Sequence, residues 1–276
     1  MNYRERFRVA PGTRVKLNEI DPAFKDRYAH RRDAADELEH YRKRLRELQD
    51  LLYAERRRSL LICLQGMDTG GKDGTINHVL SAMNPQGCRV AVFHAPTSEE
   101  LAHDFLWRIH RAVPARGEVV VFNRSHYEDV LVVRVHNLVP KDVWSVRYDR
   151  INAFERGLAD QDTHILKFYL HISKEEQLAR FQDRLDDPAK RWKISEADYA
   201  ERKFWDDYMA AYEDALSRCS TEYAPWFLVP AGHKWFRNLA VARIVVEHLE
   251  DLRMGYPKPA VDIEHIRREY HAAKKE

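Results

Sequence analysis

A glycine-rich stretch at residues 66–75, GMDTGGKDGT, carries the clearest chemistry in the sequence. It matches G-x-x-x-x-G-K, a pattern whose glycines let the backbone curl so that successive N–H groups hold phosphate oxygens. The lysine adds a positive charge, and the helix expected after it turns its positive end to the same spot. The alternative is a glycine-rich turn with an accidental lysine. The predicted phosphate-binding residues here are Gly66, Gly70, Gly71, Lys72, Asp73, Gly74 and Thr75.

This stretch also offers oxygen ligands for a metal ion. The residue after Lys72 is Asp73, where such loops usually place a Ser or Thr hydroxyl on Mg²⁺. Asp68 lies inside the loop and supplies a carboxylate instead, and Mg²⁺ prefers oxygen ligands. We therefore expect Asp68 to be the first metal ligand and Asp73 the second, unless Asp73 only places a charge at the helix N-terminus.

A second polar cluster follows an apolar run at residues 118–122. The usual metal-binding acid at this point is replaced by Asn123, and Arg124 beside it can bind phosphate oxygens in a bidentate manner. Glu128 and Asp129 are carboxylates for a metal or a nucleotide, or alternatively caps of a helix N-terminus. Arg134 lies about one and a half helical turns further on.

A third cluster interrupts a helical region at about residues 180–200 with Pro188 and many cations. It is typical of a mobile basic lid that closes over phosphates and excludes water, although a solvated run of charges is an equally good interpretation. The predicted phosphate-binding cations of this lid are Arg180, Arg184, Lys190, Arg191 and Lys193.

Short apolar runs alternating with helical patterns position these clusters. This alternation predicts an α/β fold with a parallel five-stranded sheet between two layers of helices. The predicted strands are 59–65, 89–93, 118–122, 164–171 and 226–229. The predicted helices between and after them are 74–83, 98–112, 141–160, 174–185, 200–218 and 235–252, with capping boxes at Thr97–Glu100 and Ser173–Glu176.

The regions before and after this alternation differ from it. The pattern of residues 31–58 predicts an amphipathic helix, and we expect its apolar stripe from Leu38 to Leu52 to pack inside the subunit. The alternatives are a groove that binds a polyanion and a helix that packs against another subunit. We therefore divide the chain into an N-terminal extension (1–58), a central domain (59–255) and a charged C-terminal surface tail (256–276).

Composition excludes several classes of protein. The 276 residues are 44% hydrophobic and 33% charged, which excludes a disordered chain. With 46 Lys and Arg against 44 Asp and Glu, the net charge of +2 excludes a globally basic nucleic-acid binder. Three cysteines without CxxC spacing argue against a disulfide framework or a zinc site. We see neither a signal peptide nor a membrane span, and therefore expect a cytoplasmic protein.

Taken together, the motifs resemble the polyphosphate kinase 2 family over about residues 30–255. The resemblance rests on GMDTGGKDGT (66–75), FNRSHYEDVLVVRV (122–135), RLDDPAKRWK (184–193) and STEYAPWFLVPAGHKWFRN (220–238). It implies a P-loop kinase fold like that of thymidylate kinase, with a helical lid. It also implies transfer of the terminal phosphate of inorganic polyphosphate to an adenine or guanine nucleotide, with Mg²⁺, which Mn²⁺ can replace, as cofactor.

The resemblance also assigns roles to residues. It implies that Lys72 and Asp68 act as phosphate lysine and metal-positioning carboxylate, and that Arg124 and Arg134 clamp phosphate. With Glu128 and Asp129 these make the predicted catalytic set, and Asp68 and Glu128 are the predicted metal ligands. Many members have Asp-Arg-Ser at positions 123–125, where this chain has Asn-Arg-Ser. The Tyr-Glu-Asp at 127–129 is similar to class III members, which phosphorylate both AMP and ADP.

The resemblance further makes a homodimer or homotetramer plausible, without a nucleic-acid or membrane partner. The nearest rival is an ATP-dependent nucleoside monophosphate kinase, which would share the loop and the lid. A GTP-binding switch should carry an N-K-x-D motif, which we do not find. A polyphosphate- or nucleotide-binding protein without catalysis is the third alternative.

Overall fold

A parallel five-stranded sheet forms the centre of the protein, whose computed structural model describes residues 1–274. The strands lie in the order β2-β3-β1-β4-β5. Every residue of β1 is buried, and Leu60 to Leu64 pair in parallel with Val119 to Asn123. The predicted α/β fold with helices on both faces is confirmed. The strands are β1 Ser59–Gln65, β2 Cys88–Val92, β3 Val119–Asn123, β4 Thr163–His171 and β5 Trp226–Pro230.

Helices cover the sheet and connect its strands. In chain order they are α1 Tyr3–Phe7, α2 Ala35–Glu55, α3 Lys72–His78, α4 Ser98–Leu101, α5 Trp107–His110, α6 Val132–Val135, α7 Lys141–Ser145, α8 Arg147–Ala159, α9 Lys174–Asp186, α10 Glu196–Glu201, α11 Trp205–Cys219, α12 Lys234–Asp251 and α13 Ile263–Ala273. Because all crossovers in a parallel sheet return the chain in the same direction, the ends of β1 and β3 open at one edge.

Several predicted helices are shorter or interrupted. The prediction of one helix over 98–112 is wrong, since α4 and α5 are separated by a turn. The first segment ends at Leu101, and Asp104 forms the turn before the second: its side chain accepts a hydrogen bond from the N–H of Leu106 at 2.9 Å, and its carbonyl accepts one from the N–H of Trp107 at 3.0 Å. The predicted helices over 141–160 and 200–218 are likewise each divided in two, and the one over 74–83 ends at His78 before a 3-10 turn.

The N-terminal helix α2 packs inside the subunit against α12. Leu45, Leu48 and Leu52 are buried, and Leu38 packs against the same core. The predicted apolar stripe is therefore an internal contact. The segment before α2 also joins this core, where Tyr3 and Phe7 contact Phe236 with ring centroids 5.7 and 6.1 Å apart.

The C-terminal tail lies on the surface. Its helix α13 is exposed along its whole length, and residues 275–276 of the predicted tail lie outside the described residues. The three cysteines are free: Cys63 and Cys219 are buried and Cys88 is partly buried. Within residues 1–274, no helix combines the length and the apolar content that crossing a bilayer requires.

Candidate active site

The predicted phosphate loop connects β1 to α3, and its lysine folds back over the loop. Lys72 Nζ donates to the carbonyl of Gly66 at 2.7 Å and to that of Met67 at 3.3 Å. Gly71, which precedes α3, has φ +104°, a conformation that side chains rarely adopt. Burial lowers the pKa of Lys72, and the neighbouring Asp68 opposes that shift. The loop thus has the curled backbone and the positive charge that a phosphate site needs.

An ion pair links the loop to the end of β3. Arg124 Nη2 lies 3.4 Å from Asp68 Oδ1, and both side chains are partly exposed. Arg124 has φ +61°, which turns the chain sharply at the strand end. Burial acts to lower the pKa of Arg124, but Glu128 and Asp68 outweigh burial and the net shift is upward. The structure therefore brings Arg124, Asp68 and Lys72 together, as predicted from separate motifs.

Asn123 has a defined partner. Its Nδ2 donates to Asp73 Oδ1 at 2.8 Å, so the amide fixes a carboxylate at the start of α3. Asp73 is both a charge in the first turn of α3 and part of the cavity surface. The amide that replaces the usual acid thus connects the two motifs.

Glu128 and Asp129 lie in different surroundings. Glu128 is close enough to shift the pKa values of both Lys72 and Arg124 upward. Asp129 instead pairs with Arg147, whose Nη1 lies 2.9 Å from its Oδ1. Burial raises the pKa of Asp129 to about 6 although Arg147 opposes that shift. Neither Glu128 nor Asp129 lines the cavity described below.

Arg134 points away from the loop. Its Nη1 lies 2.5 Å from Asp214 Oδ2 and donates to the hydroxyl of Tyr148 at 3.2 Å. Its guanidinium also lies over the ring of Trp144, 4.8 Å from the centroid. Arg134 is not part of the cavity surface described below.

The predicted lid cations divide into two groups. Arg184, Lys190 and Lys193 line the cavity. Arg191 does not; its Nε donates to the carbonyl of Leu185 at 2.9 Å.

Arg180 is buried, and most of its donors bind protein atoms. They bind Glu176 at 2.7 Å, the carbonyl of Thr69 at 2.8 Å, and the carbonyls of Ala231 and Gly232. Arg180 therefore braces the loop against the turn after β5. Ser173 caps α9 as predicted, but the side chain of Glu176 binds Arg180 and does not complete a capping box.

A buried ionic network lies behind the turn that carries Arg124 and Glu128. Lys167 on β4 binds Glu155 and donates to the hydroxyl of Tyr127 at 2.8 Å. Glu155 also contacts Nε2 of His126 at 3.1 Å. Burial lowers the pKa of His126, even though Glu155 opposes that shift. Because His126 and Tyr127 belong to the turn, the network fixes the turn to β4 and α8.

Sequence reasoning missed Arg237, on the first turn of α12. The side chain is 2% exposed and lies against the phosphate loop, where an ideal Cβ on Gly71 would be 1.6 Å from its Nη1. Burial, and secondarily Arg180, lowers the pKa of Arg237 to about 9. The available signal was its position within residues 220–238, one of the segments that carried the resemblance.

The phosphate loop, the end of β3 and the start of α12 line a cavity of about 1260 Å³. Arg42 on α2 and Arg31, in the 3-10 turn that precedes α2, line this cavity, so the N-terminal extension supplies part of the site. The cavity surface contains ten Lys or Arg residues and four Asp or Glu residues, which are Arg31, Arg42, Lys72, Arg124, Arg180, Arg184, Lys190, Lys193, Lys234 and Arg237, with Glu39, Asp68, Asp73 and Asp183. This excess of cations contrasts with the net charge of +2 for the whole chain.

Comparison with known proteins identifies the family. The family model described as polyphosphate kinase 2 matches residues 25–255. The chain belongs to the polyphosphate kinase 2 family. A crystal structure of polyphosphate kinase 2 from Arthrobacter aurescens TC1 matches with a TM-score of 0.94 and 44% identity, covering 99% of this chain and 97% of that one. The P-loop kinase fold is therefore shown.

Two curated relatives match most of the chain. The AMP/ADP-polyphosphate phosphotransferase of Meiothermus ruber is 53% identical over 263 residues, covering 95% of this chain and 98% of that protein. The ADP-polyphosphate phosphotransferase of Rhodopseudomonas palustris is 45% identical over 270 residues, covering 92% of each. This member of the family is accordingly a kinase that transfers phosphate between polyphosphate and nucleotides.

The carboxylates of the cavity suit a divalent cation that is held jointly with phosphate. Among residues 1–274, no three His, Cys, Asp or Glu side chains are grouped as a complete metal cage. Mg²⁺ is usually bound by one or two carboxylates together with substrate phosphates and waters. Asp68 faces the cavity beside Arg124 and Lys72, so its carboxylate fits this mode of binding.

Proposed function

We propose that this enzyme transfers the terminal phosphate of inorganic polyphosphate to AMP and to ADP, and so forms ADP and ATP. The excess of cations in the cavity is the observation that supports this most strongly. Arg180, Arg184 and Lys190 pair with carboxylates outside the cavity surface, and the cations that remain still outnumber the four carboxylates on it. This excess favours a ligand that carries several negative charges. A chain of condensed phosphates does so, with charge on every unit.

Donor binding follows from the geometry of the loop. The N–H groups around Gly71 and the start of α3 hold phosphate oxygens, and Lys72 leaves its two loop carbonyls to neutralise them. Arg124 supplies two parallel donors to the phosphate that is transferred. The cations Arg184, Lys190 and Lys193 close over the bound polyphosphate and exclude water.

Transfer itself needs positioning and charge stabilisation more than a base. A terminal phosphate oxygen of AMP or ADP attacks the terminal phosphorus of the donor, and the bond from that phosphorus to its bridging oxygen breaks. The electron pair stays on the shortened polyphosphate. Because the second pKa of a phosphate is about 6, the attacking oxygen is already ionised at neutral pH. Asn123, which cannot act as a base, is therefore compatible with the reaction.

A divalent cation, proposed to be Mg²⁺ and replaceable by Mn²⁺, completes the charge balance. Asp68 would hold it with Glu128 as the second carboxylate. When bound, it neutralises charge on the phosphate oxygens during transfer. Asp68 lines the cavity, and both Asp68 and Glu128 act to raise the pKa of Lys72, which supports this pair of carboxylates.

Two observations support the use of both AMP and ADP as acceptors. The Tyr-Glu-Asp at 127–129 includes Glu128, which acts on the charge of Arg124 and whose carboxylate would help to hold a cation on the acceptor side. The Meiothermus ruber relative is named for both AMP and ADP, whereas the Rhodopseudomonas palustris relative is named for ADP. The first of these shares 53% of its residues with this chain.

The deciding experiment supplies the purified enzyme with polyphosphate and either AMP or ADP, in the absence of ATP, and measures ADP and ATP formed. We expect product with both acceptors, and none from Lys72→Met. Lys141→Met, which changes an exposed lysine on α7, is the matched control and should retain activity. Phosphorylation of AMP only when ATP is the donor would instead identify a nucleoside monophosphate kinase. Polyphosphate binding without turnover would identify a binding protein.

A further inference from the structure

Arg237 is a buried cation with no acidic partner. Its Nε and Nη2 donate to one amide oxygen, Oδ1 of Asn238, at 3.1 and 2.8 Å. Among residues 1–274, no carboxylate lies within 4.0 Å of its guanidinium nitrogens. By contrast, Arg180 pairs with Glu176, and Arg147 pairs with Asp129. Arg237 therefore lacks the compensating charge that buried Arg180 and partly buried Arg147 both have.

An unpaired buried charge destabilises a fold unless something else neutralises it. Arg180 lies close enough to Arg237 to lower its pKa further, so the two cations repel each other. With a pKa of about 9, Arg237 still carries its charge at neutral pH. The protein without ligand thus holds two positive charges together at the phosphate loop. An anion bound there would remove this repulsion.

The free end of Arg237 faces the loop that is expected to hold phosphate. Nη1 makes no hydrogen bond within the described part of the chain, and the residue lines the cavity. Ideal Cβ atoms on Gly71 and Gly74 would lie 1.6 Å from Nη1 and 2.8 Å from Nη2. The absence of side chains at these two positions lets the guanidinium lie against the backbone at the start of α3, beside Lys72.

We propose that Arg237 is a phosphate-binding residue whose Nη1 donates to a non-bridging oxygen of the condensed-phosphate donor in the loop. This inference rests on the proposed function, because it assigns the donor to that loop. Guanidinium binds phosphate oxygens strongly through charge-assisted hydrogen bonds. Arg237 therefore acts on the donor together with Lys72, whereas Arg180 mainly braces the loop.

The test compares Arg237→Met with Arg243→Met, the matched control. Arg243 lies on the same helix and pairs with Glu247 at 2.7 Å, outside the cavity. The probes are tripolyphosphate as donor and AMP as acceptor. In Arg237→Met we expect the KM for tripolyphosphate to rise about 10- to 100-fold, because one charge-assisted hydrogen bond is lost. The KM for AMP should change less than about threefold. Arg243→Met should leave both KM values near those of the wild type.

Thermal unfolding separates ligand binding from a merely structural role. Because Met removes an unpaired charge, the Tm of ligand-free Arg237→Met should equal or exceed the wild-type Tm, while stabilisation by tripolyphosphate is reduced. A lower Tm with an unchanged KM for tripolyphosphate would show a structural brace and overturn the inference. An equal rise in both KM values would also overturn it, since the residue would then not be specific to the donor.

A second variant and a test of the wild type with different donors complete the experiment. If Arg237→Met does not fold, Arg237→Lys is used, because lysine retains the charge but loses the fork of donors. A raised KM for tripolyphosphate with an unchanged KM for AMP then supports the inference, and unchanged values for both contradict it. If the wild type transfers phosphate from ATP but not from tripolyphosphate or polyphosphate, the proposed function itself fails. A functional wild type with an unaffected Arg237 variant refutes only the role of Arg237.

Discussion

Replacing Gly71 by alanine should impair donor binding more than it impairs folding. Gly71 has φ +104°, and alanine in a left-handed conformation costs about 1–2 kcal/mol. The added Cβ would lie 1.6 Å from Nη1 of Arg237, so the guanidinium must leave its place against the loop. Because the clashing atom is the end of a side chain, the displacement adds little to the loss of stability. The displacement moves the guanidinium, a hydrogen-bond donor, away from the phosphate site.

The expected values follow from these two effects. A loss of about 1–2 kcal/mol lowers the Tm by roughly 2–8 °C in a chain of this size. The KM for tripolyphosphate should rise at least about tenfold, as for Arg237→Met. Differential scanning fluorimetry and steady-state kinetics measure the two quantities on the same preparation.

Gly157→Ala is the matched control. Gly157 lies within α8, and an added Cβ would meet nothing within 4 Å. It should leave the KM unchanged and raise stability by about 0.5–1 kcal/mol, since alanine favours helix. A Gly71→Ala enzyme with wild-type Tm and wild-type KM would refute the account of the loop.

The remaining predictions concern catalysis, acceptor choice and pH. Lys72→Ala and Arg124→Ala should each lower turnover about 100-fold or more, because each removes a cation at the transferred phosphate. Asn123→Ala should lower turnover far less. Equal losses of turnover in all three variants would contradict the different roles given to these residues. Glu128→Asn should reduce phosphorylation of AMP more than that of ADP, and an unchanged ratio of the two rates would exclude a role in acceptor choice. Burial lowers the pKa of His248 to about 3, so its neutral form stabilises the fold and that contribution is lost as pH falls from about 6.5. The wild type should lose unfolding free energy between pH 6.5 and pH 4.5, and His248→Gln should lose up to about 2–3 kcal/mol less over the same range, as measured by urea titration. An equal loss in both proteins would mean that His248 is protonated in the fold.

The strands and the phosphate loop were predictable because their signals are local. Continuous apolar runs such as Leu60 to Leu64 specify a buried parallel strand, and the glycine pattern with Lys72 requires only neighbouring residues. The helix breaks were not predictable in the same way. At Asp104, a side-chain and a backbone hydrogen bond form a turn inside the segment 98–112, for which one helix was predicted.

The partners of charged residues could not be read from the chain. Arg180 and Arg134 look equivalent in sequence to Arg124, yet one binds the carbonyls of Thr69 and Ala231 and the other pairs with Asp214. Such contacts depend on tertiary packing between distant segments. Arg237 was missed for the same reason, because only the fold places α12 against the glycines of the loop.

Titration of tripolyphosphate into the nucleotide-free enzyme by isothermal calorimetry tests the central claim most directly, since it measures the donor site without chemistry. Wild-type protein should bind with saturation at one site, and Lys72→Met should bind at least about tenfold more weakly while Lys141→Met binds normally. Absence of binding to the wild type, or equal affinity in wild type and Lys72→Met, would contradict the assignment of the loop as the polyphosphate site.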